Sequence, residues 1–206
     1  MTTSGNANNN AELPYEITVT DALNDRSSNR ELIINREIND SICEDLDEDN
    51  QRRIVISSID PKYTSSIETV GTVYNEAIDP DIGALQETKT AIGKTFCYSN
   101  HYNGVILEDN FYKIGTDVEG VYFTINKWRD VVSSSSDTIS NKDIISQNNM
   151  FKHLLNRNGE SVVNEETVYV PISTRSYRLC HKFTFENDNV KYIDCKSGTD
   201  VNIYVG

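Results

Sequence analysis

The sequence predicts a mainly β chain: an antiparallel sandwich or a jelly-roll-like barrel, with one or two short helices and a mobile N-terminal arm. Three observations carry that prediction. Short runs with apolar residues at every second position recur along the chain, among them "YEITVT", "IETVGTVY" and "GVYFTIN". Turn-forming clusters separate the later runs: "NHYNG", "EDN" and "GTDVEG". Strands and helices do not alternate regularly, as a doubly wound parallel sheet would require.

In order, Met1 to Leu13 is rich in Thr, Ser and Asn, lacks periodicity and reads as a mobile arm. Tyr15, Ile17 and Val19 share one face of a first strand, and Glu31–Asn35 is a second candidate. Ile38, Ile42 and Leu46 recur every four residues, with Asp40 able to cap a short helix. Arg52–Ile59 is a β-branched run that reads as a strand stopped by Pro61, and Ile67–Tyr74 alternates as another. Asp79 and Pro80 have helix-start chemistry, Ile82, Leu85 and Ile92 roughly share a face, and Gly93 can close that helix.

From Lys94 onward the chain reads as a β meander through "KTFCYS", "GVILED", "NFYKIG" and "EGVYFTINKW". A polar break, "SSSSDTISNKD", precedes a helix opened by Ser140 with Asp143 three residues on, a variant of the capping box. Its apolar side carries Ile144, Phe151, Leu154 and Leu155, and Gly159 ends it. Four more strand-like runs follow: "ETVYVPIS", "YRLCHKFTFE", "NVKYIDC" and "DVNIYV". The organisation read from this pass is an arm over 1–13, an acidic β-rich region over 14–132, and a helix with a β meander over 133–206 packed in the same domain.

Charge bounds the partners. The net charge is −13 and the pI about 4.6, so nucleic-acid backbones and anionic membranes repel the chain. The first 60 residues carry 13 acids and 5 bases. No apolar run is long enough to span a membrane, and the N-terminus has neither the basic nor the apolar region of a secretory signal. A cytoplasmic protein with reduced Cys43, Cys97, Cys180 and Cys195 is the expectation. The apolar fraction of 37% is low enough that burial is expected to be completed by other subunits.

Cys180 and Cys195 flank an Asn187-Asp188 step. A two-residue hairpin loop at that step places Phe185 opposite Val190, Phe183 opposite Tyr192, His181 opposite Asp194 and Cys180 opposite Cys195. Directly opposed Cα atoms lie ~4.5–5.5 Å apart, within disulfide reach. Three states remain open for the pair: reduced thiols, a disulfide, or metal ligands. This Cys followed by Tyr192-x-Asp194-Cys195 in a short hairpin resembles a pattern in tail-fibre and other virion-associated β modules of bacteriophages, over about a tenth of the chain. The resemblance implies an assembly role without catalysis.

Other motifs were weighed on their chemistry. Cys97, His101, Cys180, His181 and Cys195 supply the donor types of a zinc site, but no Cys-x-x-Cys pair is present. Cys97 beside His101 lacks an orienting acid and an oxyanion hole. Asp45, Asp47 and Asp49 start a calcium-loop pattern that fails at Asn50 and Ile56. "TKTAIGKT" fails as a phosphate loop because Thr88 stands where the first Gly belongs. Trp128 and Arg129 read as core. No catalytic, cofactor or metal residue is therefore assigned.

The acidic belt Glu44, Asp45, Asp47, Glu48 and Asp49 is a solvated face or a surface for a basic partner. The expected function is that of a non-enzymatic structural or interaction protein, such as a viral or phage virion component (capsid, neck or tail), made in the cytoplasm and working among other subunits as a homo-oligomer or with particle neighbours. The alternative is an acidic inhibitor that occupies a basic nucleic-acid-binding groove.

Overall fold

A computed structural model describes residues 11–20, 32–34, 36–39, 48–60, 63, 66–78 and 87–204. The elements in chain order are β1 (Glu12–Pro14), β2 (Glu16–Val19), β3 (Leu32–Ile34), α1 (Glu48–Ser58), β4 (Ile67–Ile78), β5 (Glu87–Tyr102), β6 (Val105–Asp117), β7 (Gly120–Asn126), β8 (Val131–Ser134), β9 (Thr138–Ser140), α2 (Asn141–Arg157), β10 (Val162–Pro171), β11 (Ser176–Phe185) and β12 (Val190–Asp194). Among the described residues the chain is mainly β with two helices, as its patterning predicts. Among the described residues, no helix is long and apolar enough to cross a membrane.

The chain divides into two compact units, and neither is contiguous. The first takes its described residues from 1–25, 101–109 and 129–206, the second from 26–100 and 110–128.

In the first unit, β10 pairs antiparallel with β11 from Val162↔Phe185 to Pro171↔Tyr177. It pairs parallel with β6 at Ile106 and Leu107, so the sheet is mixed. The other side of β11 is shared end to end: Ser176–Arg178 meets β2, and Cys180–Thr184 meets β12. β2 in turn pairs with β8, and β1 pairs with β9 in a separate two-stranded ribbon. One sheet face buries Ile17, Leu107, Tyr169, Tyr177 and Leu179 with Leu13, Ile139 and Ile144. The opposite face buries Val168, Val170 and Cys180, packed by Val201 and Ile203 of the C-terminal segment. Burying each large aliphatic side chain contributes about 1.5–3 kcal/mol.

In the second unit, β4 pairs with β5, β5 with β6, β6 with β7 and β7 with β3. Its core joins Val55 of α1 to Ile59, Phe96, Tyr98, Ile114 and Trp128. Tyr63 stacks on Tyr112 with ring centroids 4.6 Å apart and meets Trp128 edge-on at 4.8 Å. Backbone approach explains Gly93: a Cβ there would sit 2.7 Å from the Thr116 carbonyl oxygen. The β5–β6 turn, in the first unit, uses Asn103 (φ 51°) and Gly104 (φ 79°). Two consecutive positive φ values are what a type I′ hairpin turn demands, and Asn-Gly supplies them at least cost.

Several sequence readings are corrected. Arg52–Ser58, read as a strand, belongs to α1. Gln51, Val55 and Ile59 repeat every four residues and are buried, while Ile54 and Ile56 are exposed, so the helical period wins over β-branched composition. Residues 87–93, read as the end of a helix, lie in β5, where Thr88, Thr90 and Gly93 fall opposite Ala77, Asn75 and Val73. Long-range pairing overrides local propensity there. The "EDN" break is a kink inside one strand, with Asp109 at φ 54°. The polar break before α2 contains β8 and β9. The expected arm ends in β1 at Glu12 and Leu13 rather than running to 13. Among the described residues, "DVNIYV" makes a single bridge, Ile193↔Asp200, rather than a strand. Arm residues 1–10 and the helices expected over 40–46 and 79–86 lie outside the described residues.

Ser140 caps α2 as expected: its hydroxyl oxygen accepts from the Asp143 amide at 3.1 Å and donates to the Asp143 carboxylate at 2.7 Å. Ile144 and Leu155 are buried, but Leu154 points outward. Ser140→Ala should destabilise the first unit by about 1 kcal/mol, the usual cost of a lost N-cap. Urea unfolding followed by circular dichroism checks this, and an unchanged midpoint would remove the cap from the account.

Candidate functional site

The expected Cys180–Cys195 pairing depends on a two-residue loop, and the loop has three residues. Phe185 N–H donates to the Asn189 carbonyl at 2.9 Å, and Asp188 N–H donates to the Phe185 carbonyl at 3.0 Å. Asp188 adopts φ 61°. This is a type I turn closed by a left-handed residue, the usual three-residue hairpin. Every opposed pair is shifted by one: Cys180 faces Asp194, His181 faces Ile193 and Phe183 faces Lys191. Cys180 and Cys195 therefore fall on opposite sheet faces, in separate core clusters, and both are free thiols.

Asp194 takes the place expected of Cys195, and it is almost fully buried. Its Oδ1 accepts from the amides of Lys196 (2.7 Å) and Ser197 (2.8 Å). Its Oδ2 accepts from the Tyr15 hydroxyl (2.7 Å) and, more distantly, Arg178 Nη1 (3.4 Å). Arg178 also donates through Nε and Nη2 to Glu16 Oε1 at 3.0 and 2.7 Å. The Arg178 and Lys196 charges lie 5.4 and 4.9 Å from the Tyr15 ring centroid, and Lys196 pairs with Asp137. Burial pushes the Asp194 carboxyl up, but the Ser197 amide, the Tyr15 hydroxyl, the Lys196 amide and Arg178 outweigh it and hold the group below the usual range.

With four donors on about four lone-pair sites, Asp194 is an anchor with no acceptor capacity left for a substrate proton. Burial pushes the Cys180 thiol up to about 12 and the Cys195 thiol up as well, so neither is an activated nucleophile.

His181, on the other face of β11, is fully buried against Phe151 and Phe183. Its Nε2 lies 3.2 Å from Gln147 Oε1, while Nδ1 has no partner. The carbonyl of Gln147 can only accept, which assigns the proton to Nε2. Burial pushes the imidazole down to about 4, with Asp194 opposing weakly.

The other sequence candidates scatter. Cys97 lies within β5, its thiol pushed up by burial. Among the described residues, no three His, Cys, Asp or Glu side chains are grouped to hold a metal ion. Gly93-Lys94-Thr95 is strand rather than phosphate loop, and Lys94 donates to Thr72 Oγ1 at 3.0 Å. Trp128 and Arg129 are buried as read, and Arg129 donates to the Thr174 carbonyl at 2.6 Å. Of the acidic belt, Glu48 and Asp49 form the first turn of α1, where the helix dipole favours carboxylates, and Glu48 pairs with Arg52 at 3.0 Å. Glu44, Asp45 and Asp47 lie outside the described residues, as does Cys43. A surface depression of about 620 Å³ beside the β11–β12 loop is lined by Glu160, Phe185, Asn187, Lys191 and neighbours, with no cysteine or histidine among them.

A different feature is the candidate interaction site. β4 is twelve residues long and pairs with β5 from Ile67↔Ser99 to Ile78↔Glu87. Among the described residues, no strand pairs with its other edge. Among the described residues the other open edges are shorter: β8 has four residues, β3 has three, β12 has five, and β10 lacks a strand on its β6 side over 162–167. The sequence reading found this strand but not its length or its edge position, because pairing partners are not encoded in local periodicity.

No protein-family description, curated protein or solved structure matches this chain.

Two measurements check this account. Iodoacetamide at neutral pH should leave Cys180 and Cys195 unmodified in the native chain and label both in urea; a mass two hydrogens short, lost on reduction and mapped to this pair, would contradict the register. His181 binds a proton in the unfolded chain near the ordinary imidazole value of 6.5 and in the folded chain only near 4, so its contribution is complete above 6.5 and lost as pH falls between those values. The native chain should lose about 2 kcal/mol between pH 7 and pH 5 from this group. His181→Leu should flatten that part of the urea-midpoint profile, and an unchanged slope would refute the assignment.

Proposed function

We propose that this chain is a non-enzymatic structural and interaction protein that works within a multi-subunit assembly, a viral or phage particle being its best concrete setting. The observation that carries this reading is the outer edge of β4. An unpaired strand edge is a row of backbone donors and acceptors, and monomeric proteins usually blunt such edges with short strands, lysines, prolines or bulges. β4 contains no Lys and no Pro, and its one register shift lies between Val73 and Tyr74, where the extra residue is on β5. Strand addition at such an edge yields affinity from the backbone itself.

The buried anchors support the same reading. Asp194, Arg178 and Tyr15 spend their polar groups on holding segments together, as a scaffold requires. Size-exclusion chromatography with light scattering, run on the full chain from nanomolar to tens of micromolar, should show assembly that grows with concentration. A monomer throughout that range, at low and physiological salt, would sink the proposal.

A further inference from the structure

We propose that the β4 edge pairs with the β4 edge of a second copy, antiparallel across a two-fold axis that passes between the two copies of Val73. This inference rests on the assembly reading above and names the partner and the register.

Two features of β4, and the closure of a two-fold contact, point to its own copy. The strand is depleted in charge: Glu68 and Glu76 are its only charged residues in twelve, in a chain that is 25% charged. A chain of net charge −13 needs such a quiet segment to meet itself. The run from Thr69 to Val73 is β-branched except at Gly71, which suits a pleated edge. A two-fold contact is also closed and self-complementary, so it satisfies both edges at once and leaves no growing end.

Symmetry and charge then fix the register. A two-fold axis perpendicular to the sheet preserves its faces, so opposed residues must have the same parity, and one residue faces its own copy across the axis. Two registers retain nearly the whole strand, with the axis at Thr72 or at Val73. The first places residue 68 opposite residue 76, setting glutamate against glutamate, which is destabilising. With the axis at Val73, Glu68 falls opposite Ile78 and Glu76 opposite Val70, Thr72 opposite Tyr74, and residues 68–78 all pair. The product is an antiparallel sheet in the order β5–β4–β4–β5.

The register is read by cross-linking. Across this axis the two residue-73 Cα atoms lie ~4.5–5.5 Å apart, within disulfide reach, whereas the two residue-72 Cα atoms lie about 8 Å apart, beyond it. Val73→Cys should form a covalent dimer on mild oxidation, several-fold above Thr72→Cys and above the unmodified chain with its own four cysteines. Hydrogen exchange on the unmodified chain needs no substitution: amides within 68–78 should gain protection in the assembled fraction relative to the dilute one. Assembly without a Val73→Cys cross-link and without that protection overturns strand pairing while leaving the assembly reading intact. A cross-link at Thr72→Cys instead overturns the register, and a chain that never assembles overturns both readings.

Discussion

The arrangement of the first unit's polar core depends on the single residue Asp188, held at φ 61° in the β11–β12 loop. Side chains alternate along a strand, so a one-residue change in loop length moves every residue of β12 to the opposite face. With three loop residues, Asp194 rather than Cys195 faces Cys180, and Ile193 rather than Asp194 faces His181. The carboxylate then meets Tyr15, Arg178 and the turn after β12, while the imidazole is left among aromatic rings under α2. In the other register a charged group would lie beside His181, and the two cysteines would be within bonding distance.

Each unit holds a buried aspartate that ties down a distant segment. Asp194 fastens β12 and its following turn to Tyr15. In the second unit, fully buried Asp117 accepts from the Arg36 guanidinium and from the amides of Asn39 and Glu119, both at 2.8 Å. Burial pushes the Asp117 carboxyl up, yet Arg36 and the two amides hold it below the usual range. Removing one partner from such a group is costly because the charge remains while its compensation does not. Each carboxylate thus fixes the path of a connecting segment whose apolar content is small: residues 36–39 in one case, residues 194–198 in the other.

The acidity of the chain and its free edge bear on the same question. Charge keeps copies apart at long range, and among the described residues β4 is the longest strand with no strand paired to its outer edge. In the proposed pairing of two copies, the placement of only two glutamates separates one register from its neighbour.

The sequence by itself determined the mainly β character, the short strands around Ile17, Ile33 and Phe123, and the cap of α2 at Ser140, because side-chain period, β-branching and capping chemistry are local. Even the turns at Asn103-Gly104 and near Asp188 were legible as turns. Tertiary structure decided the rest. Helix α1 follows the buried stripe Gln51–Val55–Ile59 against Phe96 and Trp128, contacts that local composition does not contain. Residues 87–93 are strand because β4 lies beside them. The fate of Cys180 and Cys195, and the burial of Asp194, hung on one extra loop residue. Periodicity records which side of an element is apolar, but which strand lies opposite, and in what register, depends on backbone partners far away in the chain.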